Sequence, residues 1–98
     1  MIIKTSDPYS KEQLTARNEQ KIILQSLSMD LLRAALGRHR GSDKMADRFI
    51  LESKKWISQI HDFDMKIISR ISNILDKQYD GQEEDLLMYS TIIRNRSN

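Results

Sequence analysis

The sequence predicts an all-α protein: a long antiparallel helical hairpin plus a short C-terminal helix, completed by pairing into a dimeric helical bundle. Three observations predict it. The 98 residues contain one Pro and three Gly, too few turn formers for a sandwich or barrel. Apolar residues make up 39% and charged residues 31%, the balance of narrow apolar stripes on solvated helices. Apolar side chains recur at spacings of three and four along most of the chain.

Residues 1–9 contain Asp7-Pro8, and a proline disfavours helix at the residue before it, so this stretch reads as a flexible arm ahead of a single helical domain, 10–98. Ser10 with Gln13 fits a capping box opening the first helix. Leu14, Ile23, Leu24, Leu27, Leu31, Ala34 and Ala35 then mark its buried face, and Gly37 reads as the residue just past its end, giving a helix over 11–36. The polar run Arg38-His39-Arg40-Gly41-Ser42 is long enough to reverse the chain, and Ser42 or Asp43 caps the next helix.

From there Ala46, Ile50, Ser53, Ile57, Ile60, Asp64, Ile67, Ile71, Ile74 and Gln78 fall on one heptad seam, apolar at seven of ten positions and without a phase break. The seam predicts one helix over 43–79, roughly 55 Å long against about 39 Å for the first. A rival reading breaks it near His61-Asp62-Phe63-Asp64 and closes four short helices on themselves, but no Pro or Gly marks such a break. Asp80-Gly81 ends the long helix, and Asp80 with Glu83 repeats the capping box for a helix over 82–95 with Leu86, Leu87, Tyr89, Ile92 and Ile93 on its apolar face. Running antiparallel to the long helix, it is expected to cover the segment the first helix leaves bare.

Phe49, Trp56 and Phe63 lie beside the seam and widen the stripe beyond what one neighbour can cover. The candidate oligomer or core interface is therefore Phe49, Trp56, Ile60, Phe63, Asp64, Ile67 and Ile71, with self-association into a homodimer as the expected consequence. Asp64, at a core-type seam position, is a candidate register device, so replacing it by Leu should raise thermal stability or alter oligomeric state; alternatively the helix rotates to leave Asp64 solvated or paired with a Lys or Arg of a neighbouring helix.

Several classes of chemistry find no support. Without Cys there is neither a disulfide framework nor a thiolate zinc site, and a reducing, cytoplasmic setting is expected. No apolar run approaches the roughly 20 residues that span a bilayer, so no membrane partner is expected. His61, Asp62 and Asp64 are ligand types for divalent ions, yet the chain lacks the Glu-x-x-His pairs of di-iron bundles; no metal or other cofactor is expected. Arg33 and His39 resemble the Arg-then-His spacing of helical ribonuclease toxins of the HEPN class, a likeness of two residues with Gly37 between them. No nucleophile elbow, Gly-rich phosphate loop or HExxH is present, and no catalytic residue is assigned.

Charge carries the remaining signal. Arg33 to Lys55 holds seven basic against three acidic residues, and Arg33, Arg38, His39, Arg40, Lys44 and Arg48 are the candidate contacts to an anionic partner. Cations in a helix's last turn also answer its dipole, as Asp80, Glu83, Glu84 and Asp85 answer the dipole at the start of the last helix. The function expected is a non-enzymatic protein–protein interaction module, a homodimeric regulatory or adaptor protein that meets an acidic protein surface. The alternative is a small nucleic-acid-binding regulator using the hairpin end around Arg38–Arg48.

Overall fold

In a computed structural model, which describes residues 11–97 and side chains from residue 18 onward, the chain forms a four-helix, all-α bundle. The elements are α1 (Lys11–His39), α2 (Asp43–Ile57), α3 (Met65–Leu75) and α4 (Gln82–Arg96). The expected arm over 1–9, the Ser10 cap and the Leu14 side chain lie outside what is described.

α1 runs two residues past the glycine expected to end it. Gly37 instead lets α2 approach: a Cβ there would sit 2.6 Å from the Ala46 backbone nitrogen and 2.9 Å from its Cα. Gly41 supplies the left-handed residue of the turn, at φ +72°. Ser42 N–H donates to the Gly37 carbonyl at 2.8 Å, and the Ser42 hydroxyl accepts from Met45 N–H at 3.3 Å, capping α2 as expected.

The continuous helix over 43–79 does not form. α2 stops at Ile57, residues 58–64 are not α-helical, and α3 starts at Met65. Asp64, read from the sequence as a seam position, is the N-cap of α3: its carboxylate accepts from the N–H groups of Lys66 and Ile67 at 3.1 and 3.3 Å. Asp62 bends the chain with φ +58°. The Gln20 side chain of α1 brackets the joint, donating to the His61 carbonyl and accepting from His61 N–H. Ile60 is buried in the core. The break resolves a conflict of burial: a continuous helix would set a carboxylate in an apolar seam, whereas a cap gives the same carboxylate two N–H donors and leaves it exposed.

α3 likewise stops at Leu75 rather than near 79. The last helix begins behind Gly81 at φ +93°, with no side-chain cap, so the expected Asp80–Glu83 box is not made. Tyr79 Oη donates to Asp85 Oδ2 at 2.5 Å, tying the connection to the first turn of α4.

Gly37 meets Ala46 while Trp56 reaches Asp30, so α1 and α2 run in opposite directions. Ser28 bonds the Ser90 carbonyl while Arg38 bonds Gln82, which sets α4 antiparallel to α1 as well. α4 therefore packs directly on α1, instead of covering a segment α1 leaves bare. α3 packs on α2 and α4. Leu27, Leu31, Ala34, Ala46, Ile71, Leu75, Leu86 and Ile93 form the fully buried centre. Among the described residues no helix is long and apolar enough to cross a membrane.

Candidate interaction surface

The basic residues singled out at the hairpin end divide into two groups. Arg38 is an internal strut with a side chain only 8% exposed. Its Nε donates to Gln82 Oε1 at 2.9 Å, and its terminal nitrogens reach Asp43 and Asp47 at 3.0 and 3.3 Å. Gln82 is itself buried and donates to the Ile74 carbonyl at 2.7 Å, so one polar cluster joins α1, α2, the last turn of α3 and the start of α4. His39 Nδ1 lies 3.1 Å from Glu83 of α4. Arg33 pairs with Asp30 at 2.9 Å on the side of α1 that faces α2. Arg33 and His39 thus turn to different neighbours about 120° apart around α1 and do not converge on one point.

Arg40, Lys44 and Arg48 form the second group. All three are exposed, and none is in an ion pair with another described residue. Lys44 and Arg48 are one turn apart on α2 and present their charge to solvent beside Phe49.

The residues marked for an oligomer or core interface lie largely within the chain's own core. Ile60 and Ile71 are buried; Phe49, Trp56, Phe63 and Ile67 are half-buried against them; Asp64 caps α3 and meets Arg96 at 3.4 Å. The stripe that looked too wide for one neighbour is covered by several short ones.

Two sides of the bundle stay open among the described residues: a cleft between α2 and α3 lined by Ile50, Leu51, Leu75 and Gln78, and the groove on the outer side of the α1–α2 pair. Ile22 and Met29 are 59% and 45% exposed, and with Ser26 and Arg33 they make a ridge along α1. Trp56 of α2 lines the same depression, and Met45, Arg48 and Phe49 line a second one with Ser42 and Lys44, the two adjoining where Arg33 lies over Phe49. The guanidinium carbons of Arg33 and Arg48 lie 5.6 and 5.4 Å from the centroid of the Phe49 ring, within cation–π range. Asp30 holds the groove's inner edge, accepting from Trp56 Nε1 at 2.8 Å as well as from Arg33. Sequence reasoning missed Ile22, Met29 and Met45. The signal was the seven-residue spacing of Ile22 and Met29, away from the Leu24, Leu27 and Leu31 face.

The groove offers apolar area and positive charge. Among the described residues there is no cluster of three or more metal-ligand types, and no buried side-chain nitrogen or oxygen lacks a hydrogen-bond partner. Comparison with protein families, with curated proteins and with solved structures finds no match for this chain.

Proposed function

We propose that this chain is a non-enzymatic helical interaction module, a small regulatory or adaptor protein that receives a partner on the outer groove of α1 and α2. One observation carries the reading: Ile22 and Met29 stand in solvent beside two half-buried aromatic rings, outside a core that is already closed. Covering the exposed half of each such side chain contributes about 1 kcal/mol, a reward the isolated chain forgoes. The expected homodimer stays within this reading as the case in which the partner is a second copy. Its original motive is weaker, because Ile60 and Ile71 are already buried within one chain.

Photo-crosslinking tests it. A benzoylphenylalanine at Met29 in the native host should give a discrete adduct, and the same probe at the exposed Arg70 of α3 should not. No adduct at Met29, or equal yields at both positions, would overturn the reading. An adduct of twice 11.5 kDa identifies the homodimer.

Arg40, Lys44 and Arg48, exposed without carboxylate partners among the described residues, favour a second reading, a nucleic-acid-binding regulator. Binding of duplex DNA or RNA that falls steeply with salt would support it, and absence of binding at low salt would remove it.

A further inference from the structure

Resting on the reading that the α1–α2 groove is the binding face, we propose that its occupant is an amphipathic helix of another protein, about three turns long, whose apolar stripe is flanked by acidic residues. The shape of the groove comes first. The two ridges run antiparallel and face each other where Asp30 meets Trp56 and Arg33 lies over Phe49; Ile22 extends the α1 wall past the end of α2, and Met45 extends the α2 wall toward the turn, so each ridge covers roughly 16 Å in staggered register. A pair of packed helices leaves a valley on each side. The inner valley is filled by the side chains of α3 and α4, and among the described residues the outer one is open. A third helix is the element whose side-chain ridge fits such a valley. An extended strand has nothing to pair with here, because the backbone N–H and C=O groups of both walls are engaged within their own helices.

Charge selects the flanks. Arg33, Lys44 and Arg48 line the groove against one carboxylate, Asp30, which already accepts from Arg33 and Trp56. Glu52 and Lys55 pair with each other at 3.3 Å and cancel. The Arg33 and Arg48 guanidiniums both lie near the Phe49 ring, and Arg48 has no carboxylate partner among the described residues, so a carboxylate arriving there meets an unpaired cation. A second copy would bring the same net-positive face and add no unpaired carboxylate to meet these cations. Nucleic-acid phosphates would match the cations but leave Ile22 and Met29 uncovered at the other end of the groove.

The probe is a stapled 15-residue helix with Leu at i, i+4, i+7 and i+11 flanked by Glu, compared with the same helix carrying Lys in place of Glu. Trp56 is the only tryptophan and lines the groove, so its emission reports occupancy. The Glu helix should bind saturably, and the Lys helix at least about tenfold more weakly. Lys44→Glu with Arg48→Glu, both at exposed positions, should invert that preference while the far-ultraviolet circular dichroism stays unchanged. Equal binding of the two helices, preference for the Lys helix, or no binding overturns the acidic-helix proposal. So does a duplex RNA that displaces the Glu helix at physiological salt. An adduct at Met29 in the host together with failure of the Glu helix leaves the groove as the binding face and removes only this partner; loss of both removes the surface as well.

Discussion

The reversal between α1 and α2 and the reversal between α2 and α3 do the same job with different parts. The first is local: Gly41 takes the left-handed conformation, Ser42 caps α2, and Gly37 admits the Ala46 backbone at the joint between the two helices. Every residue it needs lies within ten positions. The second has no glycine. Asp62 adopts φ +58°, Asp64 caps α3, and the joint is held from a distance by Gln20 on α1, 41 residues away. A turn written in its own residues is specified locally; a joint closed by a contact across the fold is specified only once the fold exists.

The largest expected effect breaks the first reversal. Gly37→Ala ordinarily favours a helix by about 1 kcal/mol, but here the added methyl meets Ala46 backbone atoms that cannot rotate away. A net loss of about 2–3 kcal/mol is expected in urea denaturation, and a neutral result would show that α1 and α2 separate without cost. Asp64→Leu breaks the second. As a seam residue Asp64 would gain stability from this change; as a cap it should lose about 1–2 kcal/mol, so the sign alone distinguishes the roles.

Smaller changes sharpen the contrast. Asp62→Gly should gain about 0.5 kcal/mol by relieving the positive φ, whereas Asp62→Val should lose about 1 kcal/mol, both measured by thermal unfolding. The third reversal, between α3 and α4, uses Gly81 and is tied down by Tyr79, whose phenol is pushed up to about 12 by burial and by its hydrogen bond to Asp85. The folded chain keeps this proton where an unfolded chain loses it near the ordinary 10.0. The contribution is therefore intact below pH 10 and lost as pH rises through about 12, and Tyr79→Phe should flatten that alkaline slope.

Much of the fold was legible because it is local. The Ser42 cap follows from residue type, and the buried seam members Ala46, Ile50, Ser53, Ile60 and Ile71 and the α4 face Leu86, Tyr89 and Ile93 follow from spacing and are buried. The break at 58–64 was hidden because the apolar period carries across it. A trace remained: the seam marks Ile67 and Ile74, but the residues buried in α3 are Ile68, Ile71 and Leu75, a stripe rotated toward the next position. That rotation shows a helix facing a different neighbour. Less of the surface was legible. Arg38 has the residue type and position of a free surface cation, and its burial depends on Gln82, 44 residues on. The spacing of Ile22 and Met29 places them off the Leu24, Leu27 and Leu31 face, but that no neighbour covers them among the described residues depends on where α2 ends, which is not encoded near them.

The break between α2 and α3 is the feature from which the closed core and the open outer groove both follow. The chain has no cysteine, so Leu51→Cys with Gln78→Cys places spin labels cleanly on residues that line one cleft between α2 and α3. Pulsed electron–electron resonance should give a single distance below about 25 Å; a peak near 40 Å, the span of a continuous helix between these positions, would contradict the break.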